Sequence, residues 1–123
     1  MNCPCCSGKN YENCCEPFHL KKGIPKTPEE LMRSRYTAFA KVLTDYLVET
    51  THSSVRKLHH PKEIEEWAKS NKWLKLEIIF VKDDKVRFRA YYQDEKGEIY
   101  EHDELSAFVQ ENGKWFYVDG EFY

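Results

Sequence analysis

Apolar residues change their spacing once along this chain. From Leu31 to Leu47 they fall three or four apart, at Leu31, Met32, Tyr36, Phe39, Ala40, Leu43 and Leu47. That is the spacing of one helix face. Thr27-Pro28-Glu29-Glu30 marks where this helix begins: Thr27 can cap, Pro28 suits the first helical position, and Glu30 can close a capping box. Thr44-Asp45 predicts the cap of a second, shorter helix running to about Thr51. His52 to His60 reads as a loop. Pro61 then opens a third helix with Ile64, Trp67 and Ala68 on one face and Asn71 near its end.

After this point the spacing becomes two. Leu74, Leu76, Ile78 and Phe80 alternate with their neighbours, as do Val86, Phe88, Ala90 and Tyr92. Strands with one buried face are patterned this way. A third strand is predicted from about Ile99 to Gln110, and a fourth begins over Trp115 to Val118. Turn chemistry separates them: Asp83-Asp84, Asp94 to Gly97, and Asn112-Gly113, the last a strong hairpin signal. Helices followed by an antiparallel meander predict an α+β fold, with N-terminal helices packed on one face of a curved four-stranded antiparallel sheet.

Three segments follow: a Cys-rich head at 1–19, a Lys/Gly/Pro linker at 20–27, and the α+β domain at 28–123. The 123 residues suffice for one core, rich in Phe (7), Tyr (8) and Trp (3). The net charge of −2 hides an asymmetry. Residues 1–75 carry 13 Lys/Arg and 9 Asp/Glu, whereas residues 76–123 carry 6 and 12. This argues against a protein that coats nucleic acid uniformly. It leaves a local basic surface around Lys9, Lys21, Lys22 and Lys26, a contact for acidic partners or RNA or simply a solvated face. No apolar run reaches the length of a membrane span, and Met1-Asn2-Cys3-Pro4-Cys5 has no secretory character, so a cytoplasmic, membrane-free protein is expected.

All five cysteines lie within the first fifteen residues. Cys3-x-Cys5 followed by Cys14-Cys15 supplies four soft ligands, which favours one zinc ion. A shell of four thiolates leaves no open position, so the zinc would be structural, and its binding would fold the head. Cys6 is either a spare thiol or a competitor of Cys5. Other readings of the cluster are disulfides or free thiols, weakened by the strain of pairing adjacent cysteines, and a redox role for Cys5 or Cys6. His19 is either a substitute ligand or a packing histidine.

The run Cys3-Pro4-Cys5-Cys6-Ser7-Gly8-Lys9-Asn10-Tyr11-Glu12-Asn13-Cys14-Cys15 resembles the SEC-C zinc motif found at the end of the SecA translocation ATPase and in many bacterial proteins. It departs from that motif at Cys6, where a small residue is usual. Leu31-Met32-Arg33-Ser34-Arg35-Tyr36-Thr37-Ala38-Phe39 then resembles the YchJ-like family, whose biochemical role is unassigned. Asp45-Tyr46-Leu47, Trp73-Leu74, Leu76-Glu77-Ile78, Glu104-x-Ser106-x-Phe108 and Trp115-x-Tyr117-x-Asp119-Gly120 extend the likeness over essentially the whole chain. The resemblance implies a nuclear-transport-factor-2-like (cystatin-like) cone. It also implies that the head docks onto a protein or ribosomal partner. Some family members carry a second SEC-C motif; residues 16–123 contain none.

A cone of this kind often encloses a pocket. Strand parity places Tyr92 with Val86 and Phe88, sets His102, Glu104 and Ser106 on one face of the third strand, and sets Tyr117 and Asp119 on one face of the fourth. Tyr92, His102, Glu104, Ser106, Tyr117 and Asp119 are therefore the pocket candidates, and His102 with Asp119 could form an acid/base pair. The competing reading is a solid aromatic core in which Glu104 and Ser106 bond to Arg33 or Arg35. For these arginines an internal salt bridge with Glu104 or Asp119 is preferred over anion binding. No motif for a nucleophile, phosphate loop or cofactor is present, so catalysis is not the first expectation. Three functions remain in view: a zinc-headed docking protein, a small-ligand binder or enzyme using the cone, and a nucleic-acid binder using the basic head. A homodimer is compatible with the fold.

Overall fold

A computed structural model describes residues 2–122. The helices are α1 (Glu16–His19), α2 (Pro28–Ala40), α3 (Thr44–Glu49) and α4 (Pro61–Ser70), with 3₁₀ turns at Tyr11–Asn13 and Arg56–Leu58. The strands are β1 (Lys72–Lys82), β2 (Lys85–Gln93), β3 (Ile99–Glu111) and β4 (Lys114–Phe122), forming one antiparallel sheet in chain order. Among the described residues, no helix is long and apolar enough to cross a membrane. The predicted α+β architecture is therefore present, with the short α1 as an addition inside the head.

Local chemistry explains the element ends. Thr27 Oγ1 accepts the Glu30 N–H at 3.1 Å, and Pro28 occupies the first position of α2. The Glu30 carboxylate reaches back one residue further than a capping box requires, to the Lys26 N–H at 2.7 Å. Thr44 opens α3 as its first residue rather than as its cap. The β3–β4 turn uses Asn112 and Gly113, both with positive φ (53° and 81°), as a two-residue hairpin of this type demands.

Strict alternation fails at three places, and these give the sheet its shape. Leu74 and Ile79 are extra residues on β1 against β2, and Val118 is extra on β4 against β3. Each such bulge bends its strand and flips the parity beyond it. Trp73, paired with Tyr92, therefore points to the helices, while Phe80, paired with Arg87, does not share the face of Leu76 and Ile78. Phe80 is exposed as a result.

The main core joins Leu31, Met32 and Tyr36 of α2 to Leu76, Val86, Phe88, Ala90 and Phe108 of the sheet. Cys3, Cys5 and Cys15 belong to this same cluster. A second cluster, Ala38, Tyr46 and Leu47, packs with Phe18, Phe39 and Ile64. The loop at Thr50–His52 closes the outer edge of β4, with Tyr117 N–H bonding Thr50 O and His52 N–H bonding Tyr117 O, both at 2.8 Å.

Candidate functional site

The head builds a sulfur cluster from two turns. Cys3 N–H bonds Lys9 O at 2.8 Å and Cys6 N–H bonds Cys3 O at 3.2 Å, curling the first pair around Gly8, whose φ is 88°. The 3₁₀ turn at Tyr11–Asn13 then delivers Cys14 and Cys15. The Sγ atoms of Cys3, Cys5, Cys14 and Cys15 all lie within 4.8 Å of one another. Cys5–Cys14 and Cys14–Cys15 are separated by 3.6 and 3.9 Å. Four sulfurs at about 2.3 Å from a central zinc, in a tetrahedron, would lie about 3.8 Å apart. All five cysteines are free thiols.

Burial and protonation fit the same use. Cys3, Cys5 and Cys15 are 3%, 0% and 1% exposed. The Cys5 thiol is pulled down to about 4, first by the bond from Cys15 and then by donors on Ser7, Cys3 and Cys14 that outweigh burial. Cys15 is pushed up by donating to Cys5 and by burial, and Cys14 chiefly by burial. A divalent cation replaces such shared protons when it binds thiolates. The residues present thus fit one tetrahedral metal ion.

Cys6 stands outside the cluster. It is exposed, has φ 64°, and its sulfur accepts the Leu76 N–H of β1 at 3.4 Å. His19 is a packing histidine here. Its Nδ1 meets Tyr11 OH at 2.7 Å, its Nε2 meets Ser34 O at 2.9 Å, and its ring edges onto Tyr46. Arg33 ties head to helix, donating to Cys5 O at 2.8 Å while pairing with Glu29.

Between the helices and the sheet lies a cavity of about 310 Å³. One wall is aromatic: Trp73, Tyr92 and Trp67 meet with ring centroids 5.3–6.2 Å apart, beside Tyr36 and Phe39. The polar groups come from β3 and β4, on the same face of the sheet as Tyr92. Glu104, only 7% exposed, accepts hydrogen bonds from Ser106 Oγ, from His102 Nε2 at 2.9 Å and from Tyr117 OH at 3.3 Å. Tyr92, His102, Glu104, Ser106 and Tyr117 all line the cavity.

Asp119 does not. The bulge at Val118 sets Asp119 opposite Ala107, where it is exposed and its carboxylate accepts the Gly120 N–H at 2.8 Å. Gly120 takes the inward place opposite Ser106, and Phe122 follows on the cavity wall. The partner of His102 is therefore Glu104, not Asp119.

Arg35 also lines the cavity, 7% exposed. Its Nη1 donates to Leu47 O at 2.9 Å, Thr50 Oγ1 at 2.7 Å and Thr51 Oγ1 at 3.3 Å. Its guanidinium carbon lies 4.7 Å from the Tyr117 ring centroid. Burial lowers its pKa to about 10, against the pull of Tyr117, Tyr46 and Glu104. The expected salt bridge to Glu104 or Asp119 is not made, and neither Glu104 nor Ser106 bonds to Arg33 or Arg35; Tyr117 touches both groups, its ring under Arg35 and its hydroxyl on Glu104. Trp73, Phe122 and Gly120 were hidden from sequence reasoning by the bulges, although a glycine inside a strand is itself a bulge signal.

Comparison with known proteins places these features in context. The family model described as YchJ, middle NTF2-like domain, matches residues 27–120. A UPF0225 protein of Haemophilus influenzae (strain 86-028NP) is 42% identical over 123 residues, covering 96% of this chain and 76% of the relative. A UPF0225 protein of Vibrio parahaemolyticus is 40% identical over 98% of this chain and 75% of its own length. The solution structure of a SEC-C motif containing protein from Rhodopseudomonas palustris superimposes with a TM-score of 0.90 at 36% identity, covering 98% of both chains. The crystal structure of a SEC-C motif containing protein from Psychrobacter arcticus gives 0.81 at 33% identity, covering 95% of this chain and 80% of that one.

Proposed function

The chain belongs to the YchJ-like family of SEC-C motif proteins with an NTF2-like domain, and from that premise we propose that it is a zinc-stapled receptor for a small molecule. Zinc, one ion per chain, is held by Cys3, Cys5, Cys14 and Cys15. Its role is structural, because four protein thiolates leave no coordination position for substrate. A reducing cytoplasm suits five unpaired thiols.

The observation that carries the receptor reading is the cavity of about 310 Å³, lined by Glu104 with its three donors and by an aromatic cluster. An apolar pocket with a few convergent polar groups is the usual form of a small-ligand site. No group in it is set up as an activated nucleophile, which supports binding rather than covalent catalysis. A fragment screen by two-dimensional NMR tests this. Hits should move the signals of Trp73, Tyr92 and Gly120 together, and a screen that leaves all three unmoved removes the reading. Metal analysis of protein purified without added metal should find one zinc, lost in Cys15→Ser.

A second reading keeps the head as a docking element for a protein, ribosomal or nucleic-acid partner. Lys9, Lys21, Lys22 and Lys26 support it, since all four are exposed. Lys21 already pairs with Glu49. Binding through this face should weaken steeply as salt rises, and a flat salt response would end the reading.

A further inference from the structure

Arg35 is a buried charge with work left undone. A guanidinium carries five N–H donors, and here only Nη1 is engaged, with three neutral oxygens from the end of α3 and the loop after it. Among the described residues Nε and Nη2 have no hydrogen-bond partner, and no carboxylate lies within ion-pair distance of the group. A buried cation without an anion is costly unless something else supplies the charge.

The other charge in the cavity reaches it only through space, without a hydrogen bond or ion pair. Glu104 is already served by Ser106, His102 and Tyr117, while Arg35 lies over the Tyr117 ring and makes no ion pair with the carboxylate. The two charges are thus asymmetric: the carboxylate is satisfied, whereas the guanidinium retains free donors on the cavity wall. Beside it on α2 stand Tyr36 and Phe39, which with Trp73 of β1 form an apolar, ring-rich part of the lining. A volume of about 310 Å³ is at the small end for ligand sites.

We propose that the cavity binds a small organic anion, a carboxylate with a planar apolar body, whose charged end is held by Arg35 Nε and Nη2 and whose body lies against Tyr36, Phe39 and Trp73. Guanidinium and carboxylate form paired, charge-assisted hydrogen bonds of matching geometry. This inference rests on the receptor reading and names its ligand class.

Three probes of one shape and different charge decide it: 4-hydroxybenzoate, neutral 4-hydroxybenzamide and cationic 4-hydroxybenzylamine, titrated into the zinc-loaded chain by NMR. The benzoate should bind about tenfold or more tighter than the amide, with the amine weakest. Arg35→Gln should bring benzoate down to the affinity of the amide, and Arg35→Lys should keep part of the preference. If the amide or amine binds as well as the benzoate, with shifts at cavity residues, the anion assignment is overturned while the receptor reading stands. No shift from any probe also overturns it; the receptor reading itself falls only with the wider fragment screen. The comparison among probes on the unaltered chain needs no variant, so it holds even if Arg35→Gln fails to fold.

Discussion

Gly120 holds the carboxylate of the cavity in place by having no side chain. A Cβ there would fall well inside contact distance of Glu104 Oε2, Cδ and Cγ. Glu104 is pinned by three hydrogen bonds and has little freedom to withdraw. Gly120→Ala should therefore cost about 1–3 kcal/mol, the range of overpacked sites, and should break the His102–Glu104 bond. Urea denaturation and the His102 ring signals check both. His19 is a second residue with a readable consequence. Burial, with Lys41, holds it below the usual 6.5 despite its bond to Ser34 O. Above pH 6.5 the folded and unfolded states both carry neutral His19, so nothing is gained or lost. As pH falls below 6.5 the unfolded chain takes up a proton that the folded chain resists, so stability drops until the lower folded pKa is reached. Wild type should thus lose more stability than His19→Gln between pH 7.5 and 5.5, and its NMR titration midpoint should lie below 6.5. An equal loss in both proteins would show that His19 contributes nothing to acid sensitivity.

At the level of elements, periodicity located every helix beyond the head and all four strands, because each has one face in the core. Thr27 was legible for the same reason: its cap is local chemistry. Thr27→Ala removes the acceptor for Glu30 N–H and should cost about 1 kcal/mol, measurable as a lowered urea midpoint with unchanged slope. Parity within the strands was legible only as far as the bulges. Tyr92, His102, Glu104, Ser106 and Tyr117 lie in unbroken stretches of β2, β3 and β4, and they share the cavity lining as strand parity groups them. Asp119 lies one residue past the Val118 bulge and lands on the wrong face. Trp73 is lost in the same way at Leu74. A bulge depends on how two strands match, which a single strand's alternation does not encode. The open donors of Arg35 were equally unreadable, since they depend on its Nη1 turning to the end of α3 and the loop after it rather than to a carboxylate.

Across the whole molecule the decisive relation is between the cysteine cluster and the core. Cys3, Cys5 and Cys15 share one apolar cluster with Leu31, Tyr36, Val86 and Phe108. Cys3 Sγ also sits 3.6 Å from Thr37 Oγ1 in α2, and Trp115 Nε1 donates to Lys26 O at the far end of the linker. A head attached in this way is no tethered appendage. Losing the metal would leave thiols that need protons inside a packed interface, and it would free the segment that covers α2 and β1. Chelation, or Cys15→Ser, should therefore lower the melting temperature of the entire chain by about 10 °C or more. Far-UV circular dichroism, which follows the sheet, and tryptophan fluorescence, which follows Trp67 and Trp73 of the cavity lining together with Trp115 of β4, should report one shared transition. An independent docking module predicts the opposite outcome: the head would loosen while the sheet melted at its original temperature. Coincident, shifted transitions would mean that zinc supports the cavity itself, so that the thiols of the head and the ligand site of the cone stand or fall together.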